Sequence, residues 1–335
     1  MKTPLLKVDN LAVEVSGKAG KVRLIDGVSF EIEAGGAVGI VGESGSGKSM
    51  TSLAIMRLIP DPPLKVAEGR VEFAGVNLLD LPKSKMPDIR GRDIAMIFQE
   101  PMSSLNPVMT IGDQIGEALK LHTPGNSEQR RARIIELLRL VGIPNPEGRL
   151  GAYPHQFSGG MRQRVMIAMA VACNPKLLIA DEPTTALYVT IQAQVLELMH
   201  KVRKTLNTAV LLISHDLGVI ADVCDRVIVM YAGRVVEDAD VRSVFRAPAH
   251  PYTRALLKSI PRIGDDQTRL FQIPGSVPAA GSVKQGCPFY SRCTLRIDRC
   301  AAEMPPMSSF GAAHRAACWV TARELAVASR KEAVK

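Results

Sequence analysis

An α/β fold with a mostly parallel sheet is predicted by three stretches of this 335-residue chain. In the first, a short apolar run, Ala37–Val41, leads through a glycine-rich turn into helix-like apolar spacing over residues 49–59. In the second, the apolar residues 177–180 end in two carboxylates, Asp181 and Glu182. In the third, Ser158-Gly159-Gly160 opens an apolar helix. Continuous apolar runs of four to eight residues are the mark of strands buried on both faces, as in parallel sheets.

The first stretch carries the most specific chemistry. Gly42-Glu43-Ser44-Gly45-Ser46-Gly47-Lys48-Ser49 fits G-x-x-x-x-G-K-[ST], in the order strand, loop, helix that a phosphate-binding loop requires. Its glycines let successive N–H groups turn toward one anion, and the helix N-terminus adds the positive end of its dipole. Lys48 is expected on the β and γ phosphates, and Ser49 on Mg²⁺. In the second stretch, Asp181 is placed to hold Mg²⁺ and Glu182 to orient or deprotonate an attacking water. In the third, Ser158 is a natural N-cap, and Gly159 and Gly160 leave the first N–H groups unshielded, a second anion cradle. Gln99 follows the apolar run 94–98, and His215 follows 209–214. Both polar residues therefore fall at the carboxyl ends of predicted strands, where ligands gather in open α/β sheets.

Composition bounds the rest. The apolar fraction is 46% and mean hydropathy is +0.08, values of a globular chain. No apolar stretch reaches the roughly 18 residues of a spanning helix, and the first ten residues lack a signal-peptide core. The net charge of +9 is uneven: residues 1–240 hold 27 basic and 27 acidic side chains, and residues 241–335 hold 15 and 6. That shift marks a domain boundary, with a nucleotide domain over 1–240 and an extension over 241–335. Residues 100–158 are expected to form a helical subdomain, with a helix from Ser127 to Val141 stopped by Gly142. With 4% aromatics and one tryptophan, the chain lacks stacking platforms for single-stranded nucleic acid.

Cys173 and Cys224 lie in apolar stretches and read as small buried hydrophobes. The other four, Cys287, Cys293, Cys300 and Cys318, have gaps of 5, 6 and 17 residues and suggest a metal site in a chain without a secretory signal. Spacing leaves structural Zn²⁺ and a [4Fe–4S] cluster equally open, with free thiols the lesser alternative and His314 as a replacement ligand. Arg292, Arg296, Arg299 and Arg315 lie among these thiols and are expected to offset the negative charge of such a centre.

Together these residues resemble the ATP-binding subunit of an ABC transporter, in the oligopeptide/dipeptide importer branch. The carriers are GESGSGKS (42–49), IFQEPMSSLNP (97–107), FSGGMRQR (157–164), LLIADEPTTAL (177–187), ISHD (213–216), VMYAGRVVE (229–237) and HPYTRALL (250–257). The resemblance implies a P-loop NTPase core with an antiparallel N-terminal portion, a helical subdomain and a small cysteine-bearing extension. It implies ATP and Mg²⁺ at Gly42, Ser44, Gly45, Ser46, Gly47, Lys48, Ser49, Gln99 and Asp181, with Glu182 as catalytic carboxylate and His215 on the γ-phosphate. Ser158, Gly159 and Gly160 would cover ATP held by a second ATP-binding subunit, in a heterodimer. A single phosphate loop agrees with this, since dimerisation must supply the second. Two transmembrane permease subunits and an extracytoplasmic solute-binding protein complete the implied assembly, at the cytoplasmic face of the inner membrane. The four thiols would hold a [4Fe–4S] cluster. No nucleic acid is expected; nucleic-acid-stimulated ATPase activity would mark the rival reading, and a metal-sensing regulator is a third.

Two positions depart from the family pattern. No aromatic residue stands upstream of the loop to stack on adenine, since Phe30 reads as core; Val15 or Arg23 is left to cover the base. Tyr188 stands where the family has an aspartate that aligns the opposite site of the dimer, and it is expected to impair the composite site bearing the partner's phosphate loop.

Overall fold

A computed structural model describes residues 3–17, 20–99, 104–184, 189–260, 271–311 and 313–321. The chain divides into two compact units, one made of Met1–Leu6, Ile32–Ala37 and Phe73–Ile213, the other of Lys7–Glu31, Val38–Glu72 and Ser214–Lys335.

In the first unit the apolar runs become parallel strands, as their composition predicts. Beyond the two-residue strand β5 (Val76–Asn77), strand β6 (Ile94–Ile97) pairs with β7 (Leu177–Asp181), which pairs with β8 (Ala209–Ser214). Every residue of β7 is buried, so the strand has no polar face and must lie inside the sheet. The predicted helical segment contains α2 (Ile111–His122), α3 (Ser127–Leu140) and the single turn α4 (Pro146–Arg149). Helix α3 begins where expected but is capped one residue earlier. The Asn126 side chain accepts from the Gln129 N–H at 2.9 Å, and the Gln129 side chain accepts from the Asn126 N–H at 3.0 Å, a reciprocal capping box. Gly142 follows the helix at φ +73°, the left-handed stop the sequence anticipates. Helix α2 packs against α3 and against α5 (Gly159–Ala170), and α6 (Val189–Leu206) packs against α5.

The second unit holds a sheet ordered β2 (Gly20–Ile32), β1 (Leu6–Gly17), β4 (Leu64–Phe73). Phe30 is 2% exposed, a core residue as read from the sequence. The unit also holds β3 (Ala37–Val41), parallel to β9 (Arg226–Tyr231), with Ile40 opposite Ile228. A two-residue turn, Ala232 at φ +47° and Gly233 at φ +80°, sends the chain back as β10 (Arg234–Asp240). Positive φ at both central residues is the geometry that matches strand twist in a tight hairpin.

The C-terminal extension is tied to β10. Its strand β12 (His314–Ala316) pairs antiparallel with β10, and β11 (Ser308–Gly311) pairs with β12. One carboxylate organises this region. Glu237 on β10 is fully buried, accepts from the N–H groups of Ala249 at 2.7 Å and His250 at 2.8 Å, and lies 2.7 Å from Nε2 of His314. Burial alone raises this carboxyl; the hydrogen bonds from His314 and the two N–H groups outweigh it and hold the carboxyl below its ordinary range. After the short helix α8 (Val241–Arg246), His250 N-caps α9 (Pro251–Lys258), its ring accepting from the Tyr252 N–H at 3.1 Å, with Pro251 at the first helical position. The HPY sequence is thus a helix start anchored to a buried carboxylate.

Candidate functional site: phosphate loop and strand-end carboxylates

The turn after β3 needs its glycines for steric reasons. Gly42 has φ +156°, and a Cβ there would lie 2.3 Å from the Met230 carbonyl oxygen and 2.6 Å from Ser46 Oγ. Gly47, at φ +99°, is the N-cap of α1 (Lys48–Ile55). The loop is fastened on several sides. The Gly233 N–H donates to the Ser46 carbonyl at 3.0 Å, and Thr51 Oγ1 donates to the Gly47 carbonyl at 2.9 Å. Lys48 is 5% exposed, and its Nζ donates to the carbonyls of Gly42 at 2.8 Å and Glu43 at 3.2 Å, so the ammonium lies folded over the loop. Ser46 Oγ is buried without a hydrogen-bond partner. A buried hydroxyl left unsatisfied beside turned N–H groups is a donor waiting for an acceptor, and a phosphate oxygen supplies one. Ser44 and Gly45 lie exposed along the same turn. His215, exposed, follows the last residue of β8, and Asp216 beside it caps α7 (Leu217–Val223) by accepting from the Gly218 N–H at 2.7 Å.

In the first unit, Gln99 and Glu182 meet although 83 residues apart. Gln99 follows β6, Glu182 follows β7, and Gln99 Nε2 donates to Glu182 Oε2 at 3.2 Å. Parallel pairing of Ile97 with Ala180 brings both strand ends to the same level. Asp181, 4% exposed, ends β7. Glu182 adopts φ +47°, a left-handed conformation that non-glycine residues rarely take, and its N–H is held by the Ile213 carbonyl at 2.9 Å. Such strain gathers at sites where a side chain must be aimed. Helix α5 is joined to the same turn: the buried Gln163 donates through Nε2 to the Pro183 carbonyl. At its start Ser158 Oγ accepts from the Met161 N–H at 3.3 Å. A Cβ on Gly159 would meet nothing within 4 Å, and one on Gly160 would crowd Ile191 at 3.0 Å. The N-terminus of α5 is therefore open on the Gly159 side, as an anion cradle requires. Tyr188 lies outside the described residues.

The donors suit Mg²⁺ by their chemistry: the Ser49 hydroxyl in the second unit, and the Asp181 carboxylate and Gln99 amide oxygen in the first, are hard oxygen groups of the kind that bind it.

The cysteine region requires a correction. All four thiols, Cys287, Cys293, Cys300 and Cys318, are free, and the last three are buried. Among the described residues no group of three or more His, Cys, Asp or Glu is arranged to hold a metal ion, so neither the [4Fe–4S] cluster nor zinc in its place is supported. Burial pushes the Cys287 thiol up to about 12 and the Cys293 thiol up as well. His314 is engaged by Glu237. The arginines have protein partners instead of a metal centre's charge: Arg292 pairs with Glu43, Arg315 with Asp238, and Arg299 with Glu303, while Arg296 lies over the Tyr290 ring. Arg23, offered for adenine, pairs with Asp26 and Glu68, and Val15 is half-buried on β1.

Sequence reasoning missed the link between Glu43 and Arg292, 249 residues apart, and the hydrogen bond from the Glu43 N–H to the Tyr252 hydroxyl at 2.8 Å. The only signal was the acidic residue inside the loop.

Residues 25–185 match the ABC transporter family, and residues 236–300 match the C-terminal region of oligopeptide/dipeptide transporters. A probable peptide ABC transporter ATP-binding protein of Sinorhizobium fredii is 52% identical over 316 residues, 94% of each chain. The dipeptide transport ATP-binding protein of Escherichia coli is 50% identical over 94% of this chain and 96% of its own length. The oligopeptide transport ATP-binding protein of Bacillus subtilis is 48% identical over 99% of this chain and 93% of its own length. Among solved structures, a dimeric ATP-binding cassette in a post-hydrolysis state bound to ADP and Pi matches with TM-score 0.63 and 29% identity, over 71% of this chain and 99% of the cassette.

Proposed function

The chain belongs to the ABC transporter family, among its peptide-transport ATP-binding proteins, and from that premise we propose how its residues do the work. It binds and hydrolyses ATP, and this hydrolysis powers import of peptides through an ABC permease. Lys48 and the loop N–H groups bind the β and γ phosphates, with Ser46 Oγ as a further donor. Ser49, Asp181 and Gln99 hold Mg²⁺, which neutralises phosphate charge when bound. Glu182 takes the proton of the attacking water, and His215 holds the γ-phosphate. Ser158, Gly159 and Gly160 cover the nucleotide of a second ATP-binding subunit, in a heterodimer. Two permease subunits and a solute-binding protein complete the importer. Among the described residues no helix is long and apolar enough to cross a membrane, and the chain is proposed to sit on the cytoplasmic face through the permease. Residues 1–240 would carry the nucleotide chemistry and residues 241–335 the extension.

The observation that carries the assignment of Glu182 is its aimed, left-handed backbone together with the Gln99 hydrogen bond. The test is reconstitution with the permease in vesicles. Glu182→Gln should still bind Mg-ATP while turnover and peptide uptake collapse; turnover at the wild-type rate would remove Glu182 from its role. Nucleic acid should leave the rate unchanged.

A further inference from the structure

The second residue of the phosphate loop is held from the C-terminal extension. Arg292 lies between Cys287 on one side and Cys293 and Cys300 on the other, and its side chain is 3% exposed. Its guanidinium takes the Glu43 carboxylate with both arms: Nη1 donates to Oε2 at 2.5 Å and Nη2 to Oε1 at 3.0 Å. Each remaining N–H also has a partner. Nε donates to the Pro274 carbonyl at 2.9 Å, Nη2 to the Ile273 carbonyl at 3.1 Å, and Nη1 to the Tyr231 hydroxyl at 3.3 Å. All five donors of a planar fork are used, which fixes its orientation. An exposed ion pair would be worth little, but this cation is enclosed and two-armed.

Glu43 is held at its backbone as well. Its N–H donates to the hydroxyl of Tyr252, a fully buried residue on α9. Tyr252 packs against Tyr231 and Phe289 with ring centroids 4.7 and 5.4 Å away, and Arg292 lies 5.8 and 5.9 Å from the Tyr231 and Phe289 rings. The carbonyl of Glu43 in turn accepts from Lys48 Nζ. A continuous path of hydrogen bonds thus runs from Arg292 through Glu43 to the lysine that faces the phosphates.

We propose that Arg292 is a positioning residue for nucleoside triphosphate binding: it locks Glu43 so that the phosphate loop is preorganised, and the extension raises nucleotide affinity through this contact. The proposal rests on the reading that residues 42–49 hold the phosphates. Removing the lock leaves Lys48 and the loop N–H groups in place but lets the loop sample other shapes, so part of the binding energy goes into ordering it.

The test is the affinity of the full chain for Mg-ATP by titration calorimetry well below the melting temperature, with melting temperatures recorded alongside. Arg292→Gln and Glu43→Gln should each weaken binding about tenfold, and the double variant should be no weaker than either alone. Arg292→Lys, which keeps the charge and loses the fork, should fall in between. The ATPase KM should rise while kcat stays within about twofold. Glu43→Gln keeps the side chain's size at a partly exposed position, so it reports even where Arg292→Gln fails to fold. Wild-type affinity in Glu43→Gln, or additive losses in the double variant, would overturn the proposal. Lys48→Ala separates the two layers: if it loses binding while the Arg292 and Glu43 variants bind normally, only the positioning role fails, and if it binds normally the loop reading fails with it.

Discussion

The phosphate loop and the extension that reaches it are built on opposite principles. The loop is local. Eight consecutive residues supply the glycine conformations, the lysine and the helix start, and its polar contacts are largely backbone groups within a few positions. The extension is assembled from contacts across long sequence separations: Glu237 with His314, Asp238 with Arg315, Glu43 with Arg292. A local device can be changed with its neighbourhood intact, so its variants should alter chemistry more than stability. A long-range polar hub away from the loop, such as Glu237 with His314, cannot, and its variants should do the reverse.

The sharpest way to break this contrast lies at the strand-end carboxylate, a position outside the extension whose role is chemical. Glu182→Gln should lower ATP turnover on the order of 10²–10⁴-fold, the span of general-base catalysis. Melting temperature should stay within a few degrees, because the side chain is only partly buried and Gln keeps its size. A large loss of stability with little loss of turnover would reverse the assignment.

At Glu237 the opposite is expected. Glu237→Ala strands His314 and leaves the Ala249 and His250 N–H groups buried without an acceptor. Breaking a buried pair from one side costs about 3–5 kcal/mol. Chemical denaturation should show that loss. A variant as stable as the wild type would mean that the extension is held elsewhere.

The same hub makes stability depend on pH. Burial, with the charge of Arg254 adding to it, lowers His250 to about 4 although Glu237 pulls the other way. The folded state keeps this ring neutral, whereas the unfolded chain protonates it near 6.5. Unfolding therefore takes up a proton between these values, and stability falls as pH drops from about 6.5 to 4, by about 1.4 kcal/mol per unit at the steepest. Glu237, held below its ordinary value, adds a loss at lower pH, as pH falls through its folded value. His250→Asn keeps a helix-capping side chain and should flatten the upper part of the profile. An unchanged slope would place the proton uptake on another group.

What could be read in advance follows the same division. Strands β3 and β7, the loop and the carboxylates at the end of β7 were legible because composition and short spacing decide them. The parallel register that brings Gln99 to Glu182 was legible only as two strand ends. Four thiols with interleaved arginines read as a metal centre, whereas the arginines serve carboxylates, carbonyls and rings that sequence distance hides. Short-range periodicity carries no information about which carboxylate 249 residues away an arginine will meet.

The smallest effect tests the local side once more, away from any site. Sequence spacing placed the start of α3 at Ser127, yet the cap is Asn126, whose side chain and Gln129 satisfy each other's N–H groups. Asn126→Ala removes one acceptor from a partly solvated helix end, where water can replace it. The expected loss is about 1 kcal/mol. Gln129→Ala should cost less, since it leaves the Asn126 acceptor in place. Because α3 packs on α2 and buries Ile134, Leu137 and Leu138, the helix should persist in both variants and turnover should not change. If Asn126→Ala instead cost as much as Glu237→Ala, the helix end would be coupled to the core, and the division between local and long-range devices would fail at its simplest point.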